Sequence, residues 1–189
     1  MGHFPLEVRL SKSIYPLAEF LGKSPLLQAV LGSTELFMHM PPMLRFVPPG
    51  YNHAAVPAHQ DVSYNRHLSS FITVWAPMVP ITQSCGGLII YKGSQHMREI
   101  IGDTQEGGWL PPIDVKSMEA AQLVGLNEGD VVMLSPYIVH ASASNLSDSI
   151  RLSMDLRVFG RSGTSQKHYL DLKKMEVVVP VSSRQYSNT

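Results

Sequence analysis

Short apolar runs separated by turn residues dominate the chain after Gly32. Each run is rich in apolar or β-branched residues, and clusters containing glycine or proline stand between them, which predicts strands. The predicted strands cover residues 36–40, 43–47, 71–78, 87–91, 130–134, 151–159 and 176–181. Many short strands joined by glycine- and proline-containing turns indicate a sandwich or a barrel.

Helix signals lie near the start of the chain. Ser24 suits the cap of a short helix and Gly32 suits its end. A second short helix is predicted over residues 14–21, with Pro16 in its first turn. The polar stretch 102–122 predicts a long loop or insertion, and such loops often cover sites.

The predicted strand 151–159 alternates polar and apolar side chains. Because strand side chains alternate with a period of two, its polar residues share one face and its apolar residues share the other. The polar side of the alternation consists of Arg151, Ser153, Asp155, Arg157 and Phe159. Taken by itself, such a strand more often turns its polar face to solvent, and a polar barrel interior is the alternative.

Length, composition and charge are those of an ordinary globular protein. The 189 residues suit one domain, with 44% hydrophobic and 16% charged residues. Lys plus Arg and Asp plus Glu each number 15, so the formal net charge is zero. This balance does not favour binding to nucleic acid or to an anionic membrane surface. We therefore expect a single domain over residues 1–189.

The cysteine content and the apolar stretches indicate where in the cell the protein is expected. Cys85 is the single cysteine, which excludes an intramolecular disulfide. The first ten residues lack the apolar core of a signal peptide. No stretch approaches the roughly 20 apolar residues of a membrane helix. We expect a soluble cytoplasmic protein, either monomer or homodimer.

Candidate metal ligands stand at three positions. If His59 and Asp61 lie on a strand, both side chains point the same way and converge. A pair of this kind alone is weak evidence, because a structural hydrogen bond between His and Asp is common. His140 follows another predicted strand and could complete a set of two histidines and one carboxylate. That set is typical of non-haem iron(II) oxygenases.

Arg151 follows His140 by eleven residues and opens the strand with the polar face. Its planar guanidinium can bind a carboxylate with two hydrogen bonds, as a dicarboxylate cosubstrate would require. Ser142 lies two residues after His140, so in an extended segment it would share the metal-facing side. Its hydroxyl could donate to the same carboxylate.

The ordered set resembles a known family, the phytanoyl-CoA dioxygenase (PhyH) family of iron(II)- and 2-oxoglutarate-dependent oxygenases. The likeness covers about residues 36–160, which we take as the core. It rests on the stretches 56–61, 73–75, 86–96 and 129–153, which include the candidate ligands and Arg151.

The resemblance implies a mainly β fold, the double-stranded β-helix or jelly roll, with a few flanking helices. It implies Fe(II) on His59, Asp61 and His140, and 2-oxoglutarate bound by Arg151 with help from Ser142. It also implies that Trp75 and Met43 line the cosubstrate pocket. In this fold the polar face of strand 151–159 should look into the barrel.

The implied reaction is hydroxylation of a small-molecule substrate with O2, releasing succinate and CO2. Related halogenases leave the carboxylate position empty, whereas Asp61 occupies it here. A surface or structural histidine is the more common case for His67. His67 and Tyr64 lie just beyond the ligands in sequence, so they are the best candidates for substrate contact, and Arg157 could meet an anionic substrate. The alternative function is a cupin-like jelly-roll protein that binds metal without redox activity. Arg151 argues against that alternative.

Overall fold

The computed structural model describes residues 2–50, 56–100 and 113–180. The residues group into two compact units. The first unit contains Met1–Phe4, Met43–Arg66 and Thr73–Asp155, and the second contains Pro5–Pro42, His67–Ile72 and Leu156–Thr189. The single-domain organisation of the chain stays a prediction.

The helices are short and lie mostly near the start of the chain. They are α1 (Leu6–Arg9), α2 (Tyr15–Gly22), α3 (Pro25–Leu31) and α4 (Asp61–Tyr64). Both predicted helices are confirmed as α2 and α3. Ser24 caps α3 by accepting the Leu27 N–H at 3.4 Å, and Gly32 ends it with a φ of 59°. Within the described ranges, none of the helices has the length and apolar character needed to cross a membrane.

Eleven strands make the described residues mainly β. They are β1 (Gly2–His3), β2 (Leu36–His39), β3 (Met43–Val47), β4 (Leu68–Pro77), β5 (Leu88–Tyr91), β6 (Ala120–Gln122), β7 (Val132–Leu134), β8 (His140–Ser142), β9 (Arg151–Ser165), β10 (Tyr169–Asp171) and β11 (Glu176–Val178). Each predicted strand has a counterpart, although β9 continues six residues beyond the predicted end at 159. Strands β1, β6, β8 and β10 were not predicted, because each has only two or three residues.

The predicted loop 102–122 is only partly described. Residues 102–112 lie outside the described ranges. At its far end the loop prediction is wrong, because Ala120–Gln122 forms β6 and pairs with β5. Backbone hydrogen bonds to a neighbouring strand decide this, and a polar sequence does not reveal them.

The sheets of the first unit are antiparallel. Strand β3 pairs with β1 and with the start of β9, where Val47 lies opposite Arg151. Strand β4 pairs with β7 in the same sheet, and β6, β5 and β8 form a separate three-stranded sheet. Apolar side chains from these strands and their connections pack together as a buried cluster in this unit. This cluster consists of Trp75, Ile81, Cys85, Leu88 and Leu134.

The second unit has an antiparallel sheet with the later part of β9, then β2, β10 and β11 in that order. Phe159 of β9 is buried and contacts the rings of Phe37 and Tyr169, with centroids 5.4 and 5.3 Å away. Leu68 and Phe71 complete this apolar cluster. Burial of these rings stabilises the unit.

The polar face of β9 is buried. Arg151, Ser153, Asp155 and Arg157 are each at most 8% exposed. The strand pattern by itself favoured a polar face turned to solvent, and that prediction is wrong. The face is buried, as the resemblance implies, and its orientation into a barrel interior stays a prediction. Buried charges need partners, and the Asp155 carboxylate accepts a hydrogen bond from Nε of Arg45.

Two histidines of the second unit have lowered pKa values, which make the free energy of unfolding depend on pH. Burial, followed by the charges of His67, Arg157 and Lys167, lowers the pKa of His39 to about 4. Burial, followed by Lys167 and Arg157, lowers the pKa of His67 to about 4 as well. The usual value is 6.5 for both. Between these values the unfolded chain binds more protons than the folded chain.

We therefore expect the free energy of unfolding to fall as the pH falls from 6.5 towards about 4, and to be insensitive to these groups above 6.5. Urea unfolding, followed by circular dichroism across this range, measures the slope. A variant carrying both His39→Gln and His67→Gln should show a shallower slope. An equally steep slope in that variant would contradict the assignment.

Candidate metal centre

His59 and Asp61 are positioned by different local structures. The backbone of His59 forms an antiparallel bridge with His140, through two N–H···O bonds of 3.0 Å. Asp61 instead begins α4, where its carbonyl accepts the Asn65 N–H at 3.1 Å. The prediction that both residues lie on a strand is therefore wrong for Asp61. The two side chains still converge, because Gln60 between them is extended, with a φ of -110° and a ψ of 137°.

The three predicted ligands are brought together. His59, Asp61 and His140 each offer one ligand atom, and these atoms lie within 4.8 Å of one another. Nε2 of His59 is 4.0 Å from Oδ1 of Asp61, and the two imidazole centroids are 4.3 Å apart. All three side chains are largely enclosed. Two imidazoles and one carboxylate on one side of a metal would leave other coordination positions open.

Backbone carbonyls orient both imidazoles. Nδ1 of His59 lies 2.8 Å from the Pro57 carbonyl, and Nδ1 of His140 lies 3.1 Å from the Ile138 carbonyl. A carbonyl only accepts, so each Nδ1 carries the proton and donates it. Each Nε2 then has a lone pair directed at the shared centre. Metal-binding histidines commonly have this second hydrogen bond.

The protonation state of His59 also suits a metal ligand. Burial is the main cause that lowers its pKa to about 4, and nearby His140 and Arg45 lower it further. Asp61 and the bond to the Pro57 carbonyl oppose this shift. The ring is therefore neutral at pH 7, as a metal ligand must be. These residues fit a divalent cation, since they combine two neutral nitrogens with one carboxylate oxygen.

Thr73 holds the carboxylate of Asp61, a contact that the sequence analysis did not assign. Its hydroxyl on β4 donates to Oδ2 of Asp61 at 2.5 Å, and both residues are buried. Oδ2 is thereby fixed, and Oδ1 is the oxygen nearer His59. The order Thr73-Val74-Trp75 on a strand was a signal, since it places a hydroxyl on a buried face.

We expect Thr73→Val to weaken metal binding by about 10- to 100-fold, the usual effect of losing an outer hydrogen-bond partner of a ligand. The substitution keeps the side-chain shape and removes the donor to Asp61. Anaerobic Fe(II) titration with a competing chelator measures the dissociation constant. Thr164→Val is the matched control, because that hydroxyl is exposed and bonds only to Ser69 among the described residues. Equal affinities in wild type and Thr73→Val would contradict the role.

Arg151 is buried and partly held by backbone carbonyls. Its Nη1 donates to the carbonyls of Gly86 and Ala143, each at 3.1 Å. Gly86 has a φ of 69°, and a Cβ there would lie 2.3 Å from the Ser144 carbonyl oxygen, so only glycine fits. Burial lowers the pKa of Arg151, yet a guanidinium stays charged in proteins.

The Nε atom of Arg151 is available to bind a cosubstrate. This atom is buried and has no hydrogen-bond partner among the described residues. A buried guanidinium donor without an acceptor is unfavourable unless a ligand supplies one. The residue therefore fits a carboxylate, which accepts two parallel hydrogen bonds from a guanidinium.

Three further residues were predicted to contact the cosubstrate. Ser142 lies two residues after His140 on β8 and so shares its face. Trp75 is buried on β4, on the same face as Thr73, and belongs to the first unit's apolar cluster. Met43 begins β3 opposite Asp155. That Ser142 assists cosubstrate binding, and that Trp75 and Met43 line its pocket, stay predictions.

The side chain of Gln60 bonds to backbone groups outside the ligand set. It is fully buried, and its Nε2 donates to the carbonyls of Tyr137 and Arg98 at 2.8 and 3.3 Å. Its Oε1 accepts the Ile100 N–H at 2.9 Å. The side chain thus ties the segment between His59 and Asp61 to the segment that precedes His140. Its role in fixing the geometry was not predicted.

An ion pair beside the centre was also missed. Arg45 on β3 donates to Asp155 on β9, and both side chains are largely buried. The charge of Arg45 lowers the pKa values of His59 and Arg151, so it lies near both. The position of Asp155 on the polar face of its strand was the only signal in the sequence.

The chain is similar to known proteins in sequence and in fold. Residues 13–153 match the family model described as Phytanoyl-CoA dioxygenase (PhyH). The 1-deoxypentalenic acid 11-beta-hydroxylase of Streptomyces arenae is 30% identical over an alignment of 115 residues, with 54% of this chain and 40% of that protein covered. The chain therefore spans less than half the length of this curated relative.

Solved structures share the fold. The non-heme alpha ketoglutarate dependent epimerase SnoN from nogalamycin biosynthesis has a TM-score of 0.63 at 18% identity, covering 86% of this chain and 62% of that chain. EvdO2 from Micromonospora carbonacea var. aurantiaca, complexed with 2-oxoglutarate, has a TM-score of 0.55 at 21% identity, covering 82% and 66%.

Fold and site together define a mainly β protein of the jelly-roll class with a two-histidine, one-carboxylate site. The chain belongs to the phytanoyl-CoA dioxygenase (PhyH) family, whose model matches most of its length. The predicted family is confirmed by this membership, and the predicted fold class is confirmed by the shared fold.

Proposed function

We propose that this chain forms the catalytic centre of an Fe(II)/2-oxoglutarate-dependent dioxygenase that hydroxylates a small organic molecule. O2 is the second cosubstrate, and succinate and CO2 are the products. One observation carries the proposal. Three ligand atoms of His59, Asp61 and His140 lie within 4.8 Å of one another, in the unit that also holds a buried arginine with an unused Nε donor.

His59, Asp61 and His140 would hold the iron, which supplies oxygen activation when bound together with 2-oxoglutarate. The protein residues fix the geometry. Carbonyl groups hold both imidazoles with Nε2 towards the metal position, and Thr73 holds Asp61. Rigid ligands keep the remaining coordination positions open and oriented, which favours reaction of a bound substrate.

Arg151 would bind the distal carboxylate of 2-oxoglutarate. Its Nη1 is engaged with backbone carbonyls, so the guanidinium is held in place before the cosubstrate arrives. The unused Nε would donate to the carboxylate, and Ser142 would add a hydroxyl donor. Trp75 and Met43 would cover the carbon chain of the cosubstrate.

Hydroxylation is the favoured outcome because Asp61 occupies the carboxylate position that halogenases leave empty. The name of the curated relative gives 1-deoxypentalenic acid as its substrate and 11-beta-hydroxylation as its reaction. For this chain we propose only the broader class, a small organic molecule. A cytoplasmic location and a monomeric or homodimeric state stay predictions.

Anaerobic titration of the metal-free protein with Fe(II), and then with 2-oxoglutarate, tests the proposal. We expect a weak metal-to-ligand charge-transfer band in the visible region after the second addition. Subsequent exposure to O2 should release succinate. The matched control repeats the titration with succinate, which has two carboxylates and no keto group and so should give no band.

Two results would count against the proposal. Iron binding without a band on addition of 2-oxoglutarate would leave a metal-binding jelly roll without this cosubstrate. Absence of iron binding would remove the metal centre itself.

A further inference from the structure

A pair of histidine rings in the second unit has no part in the proposed metal chemistry. His39 ends β2, and His67 immediately precedes β4. The ring centroids are 4.6 Å apart, with an interplanar angle of 55°. Nδ1 of His39 and Nε2 of His67 are buried and have no hydrogen-bond partner within the described residues. Buried polar atoms are nearly always hydrogen-bonded, so two unused atoms on adjacent rings are available to a small polar ligand.

Positive charge surrounds this pair. Arg157 is buried on β9, and continuing the register of β2 and β9 by one residue places it opposite His39. Lys167 lies in the segment after β9 and is exposed. Both cations lower the pKa values of both rings, so both lie close enough to act on them. A neutral imidazole pair flanked by two cations attracts an anion.

We propose that His39, His67 and Arg157 form a binding site for the carboxylate of a small organic acid. A guanidinium is well matched to a carboxylate, and each imidazole can add a directed N–H donor when its free ring nitrogen is protonated. Two ring atoms and one guanidinium suit the two oxygens of a carboxylate, whereas a phosphate presents more oxygens and more charge. The site lies in the second unit and contains none of the candidate metal ligands.

The bound carboxylate should change the protonation of the rings. A negative charge beside an imidazole stabilises its protonated form. The groups that face the rings are the cations Arg157 and Lys167 and the backbone of His168. Binding of an anion is therefore expected to draw protons onto His39 and His67, and to be tighter at pH 6 than at pH 8.

Nuclear magnetic resonance of the whole metal-free protein, labelled with 15N in its histidines, tests the proposal. Sodium acetate is the probe, and inorganic phosphate is titrated in parallel. We expect acetate to move the ring-nitrogen signals of His39 and His67 towards the protonated position. The signals of His59 and His140 should stay in place and serve as an internal reference. No iron or 2-oxoglutarate is present, so failure here is distinguishable from failure of the proposed function.

Two arginine variants separate this site from general charge effects. Arg157→Gln should lower the acetate affinity by about tenfold or more, the effect of losing a charge-assisted hydrogen bond. Arg161→Gln is the matched control, because Arg161 lies on the same strand, pairs with Glu35 and has a side chain that is 79% exposed. It should leave the affinity unchanged.

Three results of the wild-type titration would overturn the proposal. None of them depends on whether the Arg157 variant folds. If acetate leaves the His39 and His67 signals unmoved, the buried ring atoms hold no carboxylate. A response to phosphate alone assigns a tetrahedral oxyanion instead. Movement confined to His59 and His140 places the anion at the metal centre.

Discussion

His140→Ala should raise the dissociation constant for Fe(II) by more than about 100-fold and reduce iron-dependent succinate release to background. The variant removes one of the three ligand atoms that lie within 4.8 Å of one another. Loss of a ligand should exceed the roughly 10- to 100-fold effect of losing an outer hydrogen-bond partner. Chelator competition under anaerobic conditions measures the constant.

The fold should survive this change. The bridge between His140 and His59 uses backbone atoms, which an alanine retains. His96→Ala is the matched control, because His96 is exposed and is not among the grouped ligands. It should bind iron like the wild type. If His140→Ala bound iron with wild-type affinity and a wild-type circular dichroism spectrum, the metal would have to lie elsewhere.

Arg151→Met should raise the 2-oxoglutarate concentration needed for half of the charge-transfer band by about 100-fold, with little change in iron affinity. Truncating one partner of a buried, hydrogen-bonded charge pair costs about 2–5 kcal/mol, and each 1.4 kcal/mol is tenfold in affinity. The unused Nε of Arg151 is the donor that the cosubstrate would lose. The band midpoint at a fixed saturating iron concentration is the measurement.

A second substitution separates charge from geometry. Arg151→Lys keeps the charge and loses the planar fork, so its midpoint should lie between those of wild type and Arg151→Met. Some loss of stability is expected in both variants, because the carbonyls of Gly86 and Ala143 lose a donor. Arg161→Gln should leave the midpoint unchanged. Identical midpoints in wild type and Arg151→Met would remove Arg151 from the cosubstrate site.

Local patterns predicted much of the fold. The cap at Ser24 and the stop at Gly32 bound α3 in the structure, since they act through atoms within a few residues. Strand β3 was predicted with its observed bounds. The short strand β8 was missed, because three residues carry no periodic signal and the strand exists through its pairing with β5.

The candidate site was predicted from residue types and their order along the chain. His59, Asp61, His140 and Arg151 could be named because an iron and 2-oxoglutarate site requires those chemical groups. That these side chains lie close together in the folded chain was an expectation, because residue types and their order do not give distances. The assumed strand geometry was wrong at Asp61, which begins α4. The ligand atoms still converge, since Gln60 between His59 and Asp61 is extended.

The sequence by itself predicted the class of fold and the three residues that the structure brings together as a candidate metal site. It also singled out Arg151, whose binding of a dicarboxylate stays a prediction. Only the tertiary structure decided what fixes them. Thr73 reaches Asp61 from twelve residues away, and Arg151 reaches the Gly86 carbonyl across 65 residues. The burial of the polar face of β9 was decided in the same way. Such contacts depend on strand pairing over long separations, which residue patterns within a short window do not contain.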